Sequence, residues 1–209
     1  MHGGKISEGV ADSFFRDGWQ TAQKIRDLAR QTNSKNLNDS TRERFFVVSE
    51  ILRDLIEEVR AVIQRVSEAT VRVDGEVAGS IGPGMLVLLG VEREDTEHDR
   101  DWLAERLLKI RIFEDEEGRM NRNILDAGGQ TMVVSQFTLF GSIKKGSRPS
   151  YNRAADPAEA IPLYESFVEK MSSLLGSEVA TGVFGAEMKV DLSNDGPVTL
   201  VIDSKNKEF

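Results

Sequence analysis

The run Ser135-Gln136-Phe137-Thr138-Leu139 puts two hydroxyls, an amide and an aromatic ring at the end of an apolar stretch. Such a set suits hydrogen bonding and base stacking in a pocket. Read as plain strand alternation, it sends Ser135, Phe137 and Leu139 to one face and Gln136 and Thr138 to the other, an ordinary use of hydroxyl residues. A second run, Asn194-Asp195-Gly196-Pro197-Val198-Thr199, lies between two apolar stretches and carries turn chemistry. Its Gly196-Pro197 bond can be cis, a state found in only ~5–6% of X–Pro bonds and usually serving a structural purpose.

What the chain lacks narrows the chemistry. It has no cysteine, which excludes disulfides, thiolate nucleophiles, iron–sulfur clusters and Cys-ligated zinc. Of two histidines, His2 lies near the start and His98 sits in the polar run 95–101, which reads as the exposed first turn of a helix capped by Asp95 or Thr96. Any hydrolysis must then proceed without a Ser-His-Asp triad or a histidine metal site. A carboxylate-only magnesium site has no clustered motif behind it, since only Asp191 and Asp195 fall near the second run. No cofactor is expected.

A net charge of −8 argues against wrapping a long duplex, because phosphate neutralisation supplies most non-specific affinity. It leaves open a grip on one end of an RNA. The cluster Lys144-Lys145-Gly146-Ser147-Arg148, followed by Arg153, is the candidate for that contact; otherwise it is a solvated loop. The longest apolar runs, such as residues 85–91, are strand-sized and well short of the ~20 residues needed to span a bilayer. Met1-His2-Gly3-Gly4-Lys5 leads into a charged stretch with no apolar core of a signal peptide, so a cytoplasmic protein without membrane partners is expected.

The elements that must position these runs can be read from periodicity. Residues 1–58 read as helical, with one helix from about Asp12 to Ala29, a polar break at 31–40, and a second helix starting at Asp39 or Ser40. The second places Phe45, Phe46, Val48, Ile51, Leu52, Leu55 and Ile56 on one apolar face, so an α-helical hairpin is expected. From Arg60 the texture turns to alternation at 61–66 and 69–73, then Asp74-Gly75, a strong hairpin signal, and a strand at 76–81. Gly82-Pro83-Gly84 leads into the apolar strand 85–91; a helix over about 97–110 faces Trp102, Leu103, Leu107 and Leu108 to the core. A strand at 131–140, a helix over about 158–175 and strands near 187–192 and 198–202 complete the chain. Without regular strand–helix alternation, the expected fold is α+β: a largely antiparallel β-barrel or sheet body with two main helices, at residues 59–209, behind the helical extension 1–58.

From Arg60 to Ser204 the sequence resembles the bacterial and eukaryotic D-aminoacyl-tRNA deacylase family in five ordered blocks. These are residues 60–66, the run at 135–139, Lys145-Gly146-Ser147-Arg148-Pro149-Ser150, Phe184-Gly185-Ala186-Glu187-Met188-Lys189-Val190, and the run at 194–199. Two departures stand out. Phe140-Gly141-Ser142-Ile143 differs from the family's usual continuation, and Val59 occupies the place where the family usually begins with methionine. The amphipathic, capped pattern upstream favours a translated fusion over a start at residue 59.

The resemblance implies chiral proofreading in translation quality control: hydrolysis of the ester of D-aminoacyl-tRNA, and possible action on glycine mischarged on tRNA. It implies a homodimer that binds the 3′ acceptor end, with each active site where Ser135, Gln136, Phe137 and Thr138 of one chain meet Gly196 and Pro197 of the other. The Gly196-Pro197 main chain would sit where an L side chain must go, so chirality is read by rejection. Arg65 matches the arginine that helps fix this element, or else makes a surface salt bridge. Asn194 belongs to the same run, and Met188 packs beside the pocket or in the core. Thr138 is either the nucleophile or a positioning residue beside a reaction that uses the terminal ribose hydroxyl, with N–H groups near Phe137 and Thr138 holding the oxyanion. Lack of a usable histidine favours the second, since a threonine hydroxyl without a base is a weak nucleophile. The rival readings are a magnesium nuclease, a non-catalytic nucleic-acid-binding module, and an interaction protein on the same fold.

Overall fold

The computed structural model describes residues 59–144 and 146–204. The expected helical hairpin of residues 1–58 lies outside the described residues. Strand β1 (Arg60–Val73) is the spine of a six-stranded sheet. β8 (Lys189–Asp203) runs antiparallel along one of its edges. On the other edge β3 (Gly84–Gly90) pairs with its first half and β2 (Glu76–Ile81) with its second. Asp74 and Gly75 join β1 to β2 with positive φ at both positions, 51° and 89°, the geometry that matches the twist of a tight hairpin.

The sheet is largely antiparallel around β1, as expected, but beyond β3 the pairing turns parallel. β6 (Gln130–Ser135) pairs parallel with β3, and β7 (Ala180–Thr181) pairs parallel with β6. Each parallel pair is joined by a crossover that contains a helix, as parallel pairing requires. α1 (Glu97–Lys109), the small hairpin of β4 (Phe113–Glu114) and β5 (Met120–Arg122), and the one-turn α2 (Ile124–Ala127) lie between β3 and β6; α3 (Pro157–Leu175) lies between β6 and β7. The result is an α+β body with a mixed, nearly closed sheet. Its outer strands approach so closely that a Cβ at Gly79 on β2 would stand 2.4 Å from the Thr181 carbonyl oxygen on β7.

The two faces of the sheet bury separate cores. Ala61, Ile63, Met85, Val87, Leu89 and Val133 pack against Leu103, Ala104, Leu107 and Leu108 of α1 and Tyr164, Phe167 and Met171 of α3. The opposite face gathers Val66, Ala69, Val71, Ile81, Leu86, Met132 and Val134. Alternation sends Ala61 and Ile63 to one face and Val66 to the other, and the register shift between Val66 and Glu68 inserts one extra residue that keeps Ala69 and Val71 on the Val66 face. The helices end as their sequences dictate: Asp99 accepts from the Thr96 N–H (3.0 Å) and hydroxyl (2.8 Å) at the start of α1, Pro157 opens α3, and Gly176 closes it with φ 66°. His98 is exposed on that first turn of α1, as expected.

Candidate active site

β6 stops earlier than its sequence predicted. After Ser135 the backbone leaves the ladder at Gln136 (φ −143°, ψ 74°), and Phe137–Phe140 form a single 3-10 turn rather than more strand. Gln136 still donates its N–H to the Leu89 carbonyl (2.7 Å), which fixes where the turn begins. The far end is tied down by Arg60, whose Nη1 donates to the Leu139 carbonyl (2.9 Å) while its guanidinium pairs with buried Asp203 (2.8 Å) and lies over the Phe140 ring at 5.3 Å. Phe140 is buried and anchors the turn; Phe137 is 57% exposed and free to meet a ligand.

The turn opens onto a cavity of about 590 Å³. Ser135, Gln136 and Phe137 line it from one side. Tyr151, Asn152, Ala154 and Ala155 approach from the following loop, Tyr164 from α3, and Phe184 and Gly185 from the segment before β8. Phe137 meets Tyr151 edge-on, centroids 5.1 Å apart at 75°, and Tyr164 meets Phe184 in the same manner at 5.6 Å. These aromatics make the walls apolar, and the Gln136 amide supplies polarity; its Nε2 donates to the Thr138 hydroxyl. The Tyr164 hydroxyl donates to the Val133 carbonyl (2.9 Å), and burial pushes its phenol up to about 12. Arg93 and Asp156 pair at 3.3 Å on the same cavity. The N–H groups of Phe137 and Thr138 begin the 3-10 turn, so no earlier carbonyl of that turn can accept from them.

The second run forms no turn between two strands. It is a bulge within the single strand β8: Gln64 of β1 faces Thr199, yet Val66 already faces Asn194, so residues 195–198 are pushed out of the ladder. The Gly196-Pro197 bond there is cis. Asn194 clasps the base of the bulge, its Oδ1 accepting from the Val198 N–H (2.9 Å) and its Nδ2 donating to the Val198 carbonyl (3.3 Å) and the Thr199 hydroxyl (3.0 Å). Gly196 has φ 120°, and a Cβ there would fall 2.7 Å from Val198 Cγ2 and 2.9 Å from Arg65 Nη2.

Arg65 is buried, and its guanidinium pairs with two exposed carboxylates, Asp195 (3.2 Å) and Glu114 (3.4 Å). Its Nε donates to the Asp195 carbonyl (3.2 Å), its Nη1 to the Ile112 carbonyl (2.7 Å), and its Nη2 reaches Glu114 (3.4 Å). Met188 packs against the core face that holds Val66 and Val71, with its sulfur against Gly182. Thus Ser135, Gln136 and Phe137 share one cavity, while Arg65, Asn194, Gly196 and Pro197 form a second cluster; neither they nor Thr138 and Met188 line that cavity. Sequence reasoning left Tyr151, Asn152, Tyr164 and Arg60 without site roles. Tyr151 and Asn152 directly follow the family block ending at Ser150, and Arg60 opens the first block, so proximity to those blocks was the available signal. Among the described residues, no group of three or more His, Asp or Glu is placed to hold a metal ion.

Comparison with known proteins agrees with this architecture. The family model described as D-Tyr-tRNA(Tyr) deacylase matches residues 62–203. The chain is similar to a protein named D-aminoacyl-tRNA deacylase from Dechloromonas aromatica, 57% identical over 150 residues that span 72% of this chain and 100% of the relative. A protein of the same name from Parabacteroides distasonis is 55% identical over the same coverage. Among solved structures, one titled c-Myc DNA Unwinding Element Binding Protein superposes with TM-score 0.66 at 38% identity, covering 68% of this chain and 97% of that one. A second, titled as a probable eukaryotic D-amino acid tRNA deacylase, superposes with TM-score 0.62 at 17% identity over 70% of this chain and 99% of its own, a likeness of fold. A match over residues 62–203, joined to whole-length identity above one half with these relatives, means that the chain belongs to the D-Tyr-tRNA(Tyr) deacylase family.

Proposed function

We propose that the chain hydrolyses the ester between a D-amino acid and the 3′-terminal ribose of tRNA, releasing free D-amino acid and tRNA. The observation that carries this reading is the cavity opening at Ser135, Gln136 and Phe137 in a chain that spans the full length of relatives named for that activity. Phe137 offers an exposed aromatic face for the terminal base, and Gln136 a polar edge beside it. Water attacks the ester carbonyl, its proton passing by way of the neighbouring ribose hydroxyl, and the 3′ oxygen leaves with a proton. The N–H groups of Phe137 and Thr138 hold the oxyanion formed between these steps. Thr138 positions Gln136 and is not the nucleophile: its hydroxyl bonds to an amide, which is no base.

Chirality is read by the Gly196-Pro197 bulge. The bulge lines no part of the cavity in its own chain; as the family resemblance implies, it acts on the cavity of a second copy, and the working unit is a homodimer. Its main chain occupies the volume an L side chain would need, so D-residues and glycine enter, including glycine mischarged on tRNA. Asn194 and Arg65 hold the bulge to its shape. The catalytic body is residues 59–209, active without residues 1–58, and it works in the cytoplasm, where aminoacyl-tRNA is made. Among the described residues no helix is long and apolar enough to cross a membrane.

The test is hydrolysis of matched D-tyrosyl- and L-tyrosyl-tRNA by the full-length chain, with and without EDTA. Rapid, EDTA-resistant loss of the D-ester alone is expected. Stability of both esters despite tRNA binding would favour the second reading, a non-catalytic nucleic-acid-binding module. That reading draws on the name of the 38% identical structure.

A further inference from the structure

Residues 142–144 and 146–150 are described just before Tyr151, which lines the cavity, and they carry positive charge in a chain of net charge −8. Ser142 and Ser150 are joined by two reciprocal backbone hydrogen bonds, each 2.9 Å. Lys144 and Arg148 are exposed. Other arginines in this region are committed to carboxylates: Arg60 to Asp203, Arg93 to Asp156 and Arg153 to Glu92. Among the described residues no carboxylate lies within salt-bridge distance of Lys144 or Arg148. Solvated surface charges are commonplace, so position must carry the argument. The residue that follows the loop, Tyr151, lines the cavity and touches Phe137. Arg148 is three residues upstream, so its Cα lies at most ~10 Å from that of Tyr151.

We propose that Lys144 and Arg148 hold phosphates of the unpaired 3′ end of tRNA, just upstream of the terminal nucleotide whose ester enters the cavity. This rests on the deacylase reading for the identity of the nucleic acid. The chemistry is that of phosphate positioning: a lysine ammonium acts as a point charge and an arginine as a fork, neither reading a base. Lys145 adds charge to the same run. A locally basic rim on an acidic protein orients the strand so that its end, and not an internal stretch, meets the cavity. It also suits an enzyme that must accept many tRNAs.

The full-length chain and its Lys144→Ala/Arg148→Ala variant are compared on two substrates with the same D-tyrosyl ester, one on intact tRNA and one on adenosine alone. On tRNA the variant should lose on the order of tenfold in kcat/KM, and the slope of log affinity against log salt should drop by about 1.4, or ~0.7 for each phosphate released. On the adenosine ester it should match the parent. Equal kcat/KM and equal salt slopes on tRNA would overturn the proposal, as would an equal loss on both substrates, which would mean damage to the cavity. Salt titration of uncharged tRNA decides the loop's role separately. A parent that hydrolyses neither ester refutes the deacylase reading, while the titration still accepts or rejects the phosphate contact.

Discussion

The Nε of Arg65 donates to the main-chain carbonyl of Asp195 at 3.2 Å, which ties the spine strand of the sheet to the bulge carrying Gly196 and Pro197. The same guanidinium donates to the Ile112 carbonyl at 2.7 Å and is only 5% exposed. One buried side chain therefore sets the position of the element proposed to read chirality.

Arg65→Ala should destabilise the body by ~2–4 kcal/mol, because it leaves a buried carbonyl without its donor and opens a cavity. The pairs with Glu114 and with the Asp195 carboxylate add little to this, since those groups are 59% and 56% exposed and screened. Arg65→Lys should recover only part of the loss, as an ammonium cannot fork to two carbonyls. Urea unfolding measures the stability, and hydrolysis of an L-ester by the lysine variant measures whether the bulge has lost its place.

Gly196→Ala should impair the filter with the cavity left intact. Its Cβ would need to displace Val198 and Arg65 at a backbone angle that L residues avoid. Movement of the bulge by about 1 Å can cost ~10²-fold in rate on the D-ester. Undiminished D-ester hydrolysis, with L-esters still refused, would show that Gly196 has no part in discrimination.

Thr138→Ala separates the two mechanisms. With the turn's N–H groups doing the work, single-turnover hydrolysis should fall no more than about tenfold, the loss of one neutral hydrogen bond. A nucleophile's removal would cost several orders of magnitude more. Mass spectrometry of the quenched reaction adds a second readout, since an acyl-enzyme is expected in neither parent nor variant.

Tyr164 makes stability fall at alkaline pH. Its phenol is raised by burial from 10.0 to about 12, so the folded state keeps the proton longer than the unfolded chain does. The contribution is full below pH ~10 and is lost progressively as the pH rises toward ~12, up to ~2–3 kcal/mol in all. Tyr164→Phe should cost ~1 kcal/mol at neutral pH, from the lost bond to the Val133 carbonyl, and flatten the decline between these limits. Denaturant midpoints at pH 9, 10 and 11 would show an unchanged slope if the phenol were not responsible.

Much of the body was legible in the sequence because its signals are local. Alternation over 61–66 and 69–73, the Asp74-Gly75 turn, the apolar run 85–91 and the stripes of the two long helices each depend on neighbours a few residues away. The runs at 135–139 and 194–199, which lie in the two clusters proposed as the site, were singled out by the family resemblance rather than by their local pattern. Two features were not legible. The end of β6 at Ser135 depends on Gln136 bonding to Leu89 and on Arg60 holding the Leu139 carbonyl, contacts from strands some 50 and 80 residues distant in sequence. The parallel pairing of β3, β6 and β7 depends on where two helical crossovers return the chain, which no single segment records.

By itself the sequence determined the family and marked the two runs proposed to carry function, since residue type and short-range order suffice for these. Only the tertiary structure decided that Ser135, Gln136 and Phe137 face a cavity walled by Tyr151, Tyr164 and Phe184, and that Arg65 is buried against the Gly196-Pro197 bulge. Those relations join residues far apart along the chain, and they exist only once burial has removed water as the competing partner for each guanidinium, hydroxyl and carbonyl.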